Sequence, residues 1–491
     1  MSNLKKRFII WTCLLAVLSF ASCQDAWKEH NELKIQALDK TLTEQISSDA
    51  KLSTFYSYLV KTGYDKVLAS SKAYTVWAPV NDALKDLDVS IVNDEARLKA
   101  FVGNHISNQS YFTSMPKPSL IIRALNGKNV RFTSSKFEDG AIVDADLYVK
   151  NGVLHTVNTA SLPRPNAWEF LQSSTAASKQ YEFIAALERT EIDTTNGVRL
   201  YTDPVTGKTV FQDGTTFPVQ RNIYFQRISD LSSEDSLITC IILTDAAFEQ
   251  EKAKLSPYYT VDDPLLADTL AKWSAVRDLV INGVFEIDDL PDSLTSVTGV
   301  QVHLDKSAIV ETRLLSNGIA YVVNSVGYKL LENKIPAVIV QGEMTDSIRA
   351  PRTPLIKIQK NPNGSLYTHI QSPDITSSPS PLYHYRYKTS VHSTKYAVYW
   401  RSINDFYSTP FSMALSFSGT SKYTADLPGL GYHEVPPYDP DKPSTFGEVY
   451  LGEITFEHYG NLYAFLASSL GASSAAPTAL SLDYIKLVPV N

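Results

Sequence analysis

Cysteine is scarce: the 491 residues include three, Cys13, Cys23 and Cys240, and none belongs to a Cys-x-x-Cys pair. That excludes a disulfide scaffold and removes the spacing that zinc sites and thiol redox centres use. An excess of positive charge is also missing. Lys and Arg total 45 against 52 for Asp and Glu, a formal net charge of −7, and no basic tract is dense enough to follow a phosphate backbone, so nucleic acid is not a partner. The chain has no Gly-x-Ser-x-Gly elbow, P-loop or Rossmann fingerprint. Its nine histidines include no i, i+4 pair, so His105 and His155 read as structural, with neither a metal nor a catalytic residue expected. These absences point away from an enzyme.

What is present is enough apolar residue, 44% against 20% charged, to bury several cores in two to four domains. The N-terminus reads as an address. Lys5, Lys6 and Arg7 precede an apolar run from Phe8 to Phe20, long enough for a signal peptide and too short to cross a bilayer. It ends in Leu18-Ser19-Phe20-Ala21-Ser22-Cys23, which resembles a bacterial lipobox with Phe20 as a departure. The resemblance implies a signal peptide over residues 1–22, lipid attachment at Cys23 and a tether over 23–32; ordinary cleavage near Ala21 is the alternative. Gln24-Asp25-Ala26-Trp27-Lys28-Glu29-His30 resembles the acidic tag of surface lipoproteins of the Bacteroidetes, which implies a lipid-anchored, cell-surface position on the outer membrane. Removing residues 1–22, with three cations and no acidic residue, takes the net charge from −7 to −10. No later segment reaches the roughly 18 apolar residues of a membrane span.

An internal repeat organises the first two thirds. Thr75-Val76-Trp77-Ala78-Pro79-Val80-Asn81-Asp82-Ala83-Leu84 reads as a buried strand stopped by Pro79, then Asn81 as the N-cap of a short helix. Thr239-Cys240-Ile241-Ile242-Leu243-Thr244-Asp245-Ala246-Ala247-Phe248 repeats it, with Asp245 in the place of Asn81, 164 residues on, and Cys240 in that of Val76. Asn151-Gly152-Val153-Leu154-His155 and Asn317-Gly318-Ile319-Ala320-Tyr321 each lead from an Asn-Gly turn into an alternating strand, 166 residues apart. Two motifs at nearly one offset make a tandem of related domains.

These motifs, with Phe101-Val102-Gly103-Asn104-His105-Ile106, resemble the homology boxes and central histidine motif of fasciclin (FAS1) domains. The resemblance places one copy at residues 33–165, where Asn104 stands in place of the usual aromatic residue. A divergent copy falls at 166–333, lacking the proline of the first box and carrying Asn282-Gly283 near the expected histidine. The second copy has an insertion at 193–235, within which Arg199 to Phe211 reads as a hairpin. The resemblance implies an α+β fold used for adhesion or matrix contact.

Residues 334–354, with Pro336, Pro351 and Pro354, read as a linker, and 355–491 as strands. Leu382-Tyr383-His384-Tyr385-Arg386-Tyr387-Lys388 alternates, placing its three tyrosines on one face, expected to be core. The closing Leu482-Asp483-Tyr484-Ile485-Lys486-Leu487-Val488-Pro489 resembles the last strand of galactose-binding-like jelly rolls, a group that includes carbohydrate-binding modules. The fold class expected is therefore multidomain, two α+β fasciclin-like domains followed by an all-β jelly-roll sandwich.

Sugars stack on aromatic rings while neighbouring polar groups take their hydroxyls, so Tyr399, Trp400, Tyr407, Tyr432 and Tyr438 are candidate glycan-binding residues, the last two on loops. No cofactor is expected; Asp439 and Asp441 could hold a structural calcium, with a solvated loop as the bland alternative. The function expected is non-catalytic binding of a glycan as an accessory of an outer-membrane polysaccharide uptake system. The alternative is adhesion or scaffolding through the fasciclin-like domains, with a surface or matrix protein as partner.

Overall fold

A computed structural model describes residues 39–490 apart from 71, 376–381, 425 and 470–477. The signal peptide, Cys23 and the tether lie outside the described residues. The chain divides into two compact units. One runs to Ser173 and takes in Leu231–Ile238 and Arg313–Ala320; the other comprises Ser174–Asp230, Thr239–Thr312 and the chain from Tyr321 on.

The first α+β domain packs helices Leu42–Ser48, Ser53–Thr62 and Glu95–Asn104 beside a seven-stranded sheet. Thr41 and Glu44 form a capping box at the first helix, and Gly63, at φ 75°, stops the second. Strands Tyr74–Pro79 and Gly152–Val157 pair in parallel inside the sheet, and all twelve of their residues are buried, which is why the first reads as a nearly continuous apolar run. Leu42, Ile46, Phe55, Leu59, Phe101 and Val102 form a helix-side core, while Trp77, Phe132, Phe137 and Val157 form a second core among the strands.

The paired Asn-Gly motifs do the same work twice. Asn151 accepts from the Leu42 amide at 2.9 Å and donates to the carbonyls of Leu68 and Ser70. Asn317 accepts from Ala167 at 2.9 Å and donates to Leu231 and Ser233. Each side chain thus satisfies an orphan amide at a helix start from more than a hundred residues away. The glycine that follows is required in both copies. A Cβ on Gly152 would sit 1.9 Å from the Tyr74 carbonyl oxygen, and one on Gly318 1.8 Å from that of Ile238.

Asn81 departs from the cap expected of it. It is the first residue of a short 3-10 helix and caps the neighbouring helix instead, accepting from the Thr54 amide at 2.9 Å. Asp245 behaves alike, accepting from the Lys179 amide and the Ser178 hydroxyl. In each case a strand's end pins a helix start elsewhere in the chain.

The second α+β domain has a four-stranded sheet in the order Val280–Asn282, Ile238–Leu243, Gly318–Val323, Ile309–Leu315. Its insertion is a two-tiered ribbon: Glu188–Asp193 pairs with Phe217–Asn222, and Arg199–Thr202 with Thr209–Phe211 as the expected hairpin.

The last domain is a β-sandwich. One sheet has the order Val338–Gln341, Tyr484–Val490, Thr394–Arg401, Val449–Phe456, and the other Ser347–Arg349, His384–Val391, Gly460–Ser468, Phe411–Ser418, Gly429–Val435. Val398, Trp400, Ile485 and Leu487 from the first meet Tyr385, Tyr387, Met413, Leu415 and Leu466 from the second in one core. The buried tyrosines keep hydroxyl partners, Ser372 for Tyr385 and the Gly342 carbonyl for Tyr387. A third sheet, Leu355–Lys360, Leu366–Ser372 and Leu480–Leu482, flanks it.

The linker expected at 334–354 is corrected by these pairings. Val338–Gln341 and Ser347–Arg349 are antiparallel partners of Tyr484–Val490 and His384–Val391. Its prolines flank those strands without interrupting them, so the missing amide donors fall where no ladder needs them.

Candidate functional site

The two histidines of the first domain are spent on structure. Nδ1 of His105 donates to the Phe101 carbonyl at 2.9 Å, and Nε2 accepts from the Ser161 amide at 3.2 Å. His155 accepts at Nδ1 from the Asp146 amide and donates from Nε2 to the Tyr111 carbonyl. Burial holds both rings neutral, pulling the pKa of His105 down to about 4 and that of His155 below its ordinary value.

In the second copy the place of His105 is taken by Leu279, not by Asn282-Gly283. The Leu279 carbonyl accepts from the Ile241 amide, as the His105 carbonyl accepts from that of Trp77. Beside it Asp278, next in line as Asn104 is in the first copy, is buried, accepts from Thr298 and pairs with buried Lys334 at 3.0 Å.

Among the aromatic candidates, Trp400 is fully buried in the sandwich core and offers no face to a ligand. Strand alternation explains it, since its neighbour Tyr399 takes the outward position. Tyr407 packs on the core edge and hydrogen-bonds Asp374. Tyr432 lies on strand Gly429–Val435 instead of a loop and is half exposed. Tyr438 is in a loop, its ring 5.7 Å from Phe446. Asp439 is taken up by the Asp441 amide and Lys442, and no group of three or more candidate metal ligands occurs among the described residues.

The sandwich does carry a cleft, of about 850 Å³, at the end where Val338–Gln341, Thr394–Arg401 and the start of Tyr484–Val490 meet the Leu355–Ser372 hairpin. Its centre is Arg401. That side chain is nearly buried and fully engaged: it bonds the Asp483 carboxylate and the Asn361 amide oxygen, donates to the Phe446 carbonyl at 2.7 Å, and lies 4.3 Å from the centre of the Tyr367 ring. A guanidinium so held is a fixed strut.

Around this strut stand the rings of Tyr367, Phe446 and Tyr484 and the polar groups of Asn363, Thr368, Glu343 and Glu448. Burial raises the Asp483 carboxyl above the usual range, with Arg401 acting against it. Glu448 is held below that range because its bonds with Lys486 and Tyr484 outweigh its own burial. Burial also pushes the phenols of Tyr367 and Tyr484 up to about 12, so both stay protonated donors at neutral pH. The cleft therefore combines aromatic faces with fixed carboxylate and amide acceptors. None of the five residues expected from sequence lines it. Of those that do, Asp483 and Tyr484 belong to the closing phrase that marked the fold, and Arg401 is one position beyond Trp400.

Comparison with known proteins gives the following likenesses. The Fasciclin domain family matches residues 50–163, within the first α+β domain. Transforming growth factor-beta-induced protein ig-h3 of Sus scrofa is 22% identical over 134 residues, 26% of this chain and 20% of that protein, so the chain spans about a fifth of this relative's length. Among solved structures, the FAS1 domain pair of the insect cell adhesion molecule fasciclin I is 13% identical with a TM-score of 0.22, covering 57% of this chain and 97% of that one. The carbohydrate-binding module CBM36 in complex with calcium and xylotriose is 14% identical with a TM-score of 0.20, covering 30% and 98%. A family 35 carbohydrate-binding module from Clostridium thermocellum is 16% identical with a TM-score of 0.18, covering 31% and 98%.

Proposed function

We propose that this chain is a non-catalytic binding protein of the cell surface, anchored to the outer membrane by a lipid on Cys23, that holds polysaccharide in the cleft around Arg401 for an uptake system. The cleft carries the reading: three rings beside carboxylate and amide acceptors on a rigid sandwich suit the amphipathic surface of a pyranose, whose apolar face stacks while its hydroxyls are bonded in the plane. The address rests on the segment from Lys5 to His30 alone. Affinity electrophoresis in gels containing glucomannan, xylan, mixed-linkage β-glucan or pullulan tests the binding. Retardation in at least one gel, weakened tenfold or more by Tyr367→Ala or Tyr484→Ala, is the expected result; unretarded migration in all of them sinks it. The anchor is tested separately by metabolic labelling with radioactive palmitate, which Cys23→Ser should abolish.

A second reading, adhesion through the fasciclin-like domains, is favoured by the ribbon inserted in the second copy. It exposes Ile192, Leu200, Tyr201, Val205 and Phe217, an unusual density of large apolar side chains for a free surface. Deleting residues 195–215 would abolish attachment of cells to immobilised matrix protein if the ribbon adheres; unchanged attachment would exclude it.

A further inference from the structure

Resting on the polysaccharide reading above, we infer that the cleft is one end of a longer binding face on the outer surface of the four-stranded sheet, and that its ligand is an interior stretch of a neutral polysaccharide chain. The strand registers place the residues. Gln341 lies opposite Tyr484, and Tyr484 opposite Arg401, one row across three strands at the cleft. Two positions along, Ile339 lies opposite Lys486, Lys486 opposite Tyr399, and Tyr399 opposite Tyr450, a second row across all four. Alternate residues of these strands, Val340, Trp400, Ile485 and Leu487, are buried in the core, so both rows face away from it.

The second row is open and aromatic. Ile339 is 54% and Tyr450 51% exposed, and the rings of Tyr399 and Tyr450 lie 5.4 Å apart. Glu448 joins the rows, accepting from the Tyr484 hydroxyl at 2.8 Å and pairing with Lys486 at 3.0 Å, while the Lys486 ammonium lies 6.0 Å from the Tyr399 ring. Three strand spacings make the row about 14 Å long, room for roughly three pyranose rings beyond those the cleft receives. A monosaccharide or a chain end would leave this row empty.

Charge selects the class of chain. The cations on this face, Arg401, Lys486 and, farther along the strand, Lys395, are each held by a carboxylate, Asp483, Glu448 and Glu453. Glu343 adds a further carboxylate in the cleft, and one of its oxygens is buried without a hydrogen-bond partner among the described residues. With four carboxylates to three engaged cations, the face repels uronate or sulfate groups and accepts from neutral hydroxyls.

Titration calorimetry on the full chain tests this, using oligosaccharides of two to eight residues from whichever of glucomannan, xylan, mixed-linkage β-glucan or pullulan retards it, with oligogalacturonate as the acidic probe. Affinity should rise at least tenfold between the disaccharide and the hexasaccharide. Tyr399→Ala combined with Tyr450→Ala should lower hexasaccharide affinity tenfold or more and leave the disaccharide within twofold, whereas Tyr367→Ala should weaken both. Equal affinity for both lengths, or a double variant that binds like the parent while Tyr367→Ala does not, overturns the extended face and leaves the cleft standing. Tighter binding of oligogalacturonate overturns the charge argument. Absence of binding to every polysaccharide removes the cleft reading itself.

Discussion

Lowering the pH puts a proton on offer that the first domain cannot place. His105 is wholly buried, its two ring nitrogens committed to the Phe101 carbonyl and the Ser161 amide, and a second ring proton would face that amide's own hydrogen. Burial, opposed by the Phe101 bond, lowers the pKa from 6.5 to about 4. The unfolded chain therefore takes up this proton near pH 6.5 and the folded chain only near pH 4. Stability from the neutral ring is complete above 6.5 and is lost as pH falls towards 4. Linkage puts the loss at about 2 kcal/mol at pH 5 and about 3 kcal/mol at pH 4. His155 shifts in the same direction, also through burial, and adds to it. Hydrogen exchange by mass spectrometry on peptides covering Tyr74–Pro79 and Gly152–Val157, corrected for the intrinsic pH dependence, reads the opening free energy from pH 7 to 4.5. His105→Gln, which keeps a donor and an acceptor and cannot charge, should be less stable than the parent at pH 7 and lose less stability below pH 6.5. Parallel profiles for the two proteins, or a parent profile flat from pH 7 to 5, would refute the reasoning.

Asn151→Ala and Asn317→Ala each delete three hydrogen bonds and leave a helix-start amide and two carbonyls without their partner. Urea unfolding should show each costing about 2–4 kcal/mol, and a loss under 1 kcal/mol would mean water replaces the side chain. Lys334→Met takes the buried ammonium from Asp278 and leaves that carboxylate with Arg277 as its remaining counter-ion, so it should cost about 1–3 kcal/mol, whereas Asp278→Leu with Lys334→Met should recover most of that; equal melting temperatures for the single and double variants would contradict it. Cys240, buried with its thiol pushed up to about 12, should resist an aromatic disulfide reagent at pH 8 in a chain lacking residues 1–23 and react only as the domain opens. Labelling at the rate of a free thiol would show that the second domain's central strand is not closed.

What could be read from the sequence follows the range over which each signal acts. The two strands were legible because a strand buried on both faces is apolar nearly throughout, and Tyr74–Pro79 and Ile238–Leu243 are so apart from Thr75 and Thr239. The role of Asn151 was not, since the amide it caps lies 109 residues away and no spacing encodes that partner. Tyr399 and Trp400 show the limit of alternation: parity says that adjacent residues point to opposite faces, but only the second sheet packed against Thr394–Arg401 decides which face is core. The cleft was least legible of all. Asn361, Arg401, Glu448 and Asp483 come from four separate segments, and in the sequence each on its own reads as an ordinary polar residue.

The two copies also settle what the histidine in the fasciclin motif does here. Both domains keep the same strand-to-strand amide bond, His105 to Trp77 in the first and Leu279 to Ile241 in the second. Both also use a central threonine alike: Thr75 donates to Gln109 and accepts from Tyr111, and Thr239 donates to Gly283 and accepts from Phe285. The backbone scheme thus persists with leucine in place of histidine, so the imidazole is not what closes this fold. The first copy uses it to tie Phe101 to Ser161 through a buried ring. The second instead places a buried ion pair, Asp278 with Lys334, one position away. One is a neutral hydrogen-bonded link and the other a charged one. The imidazole acts at this motif in the first copy alone, so His105→Gln should change the pH profile of Tyr74–Pro79 and leave that of Ile238–Leu243 as in the parent.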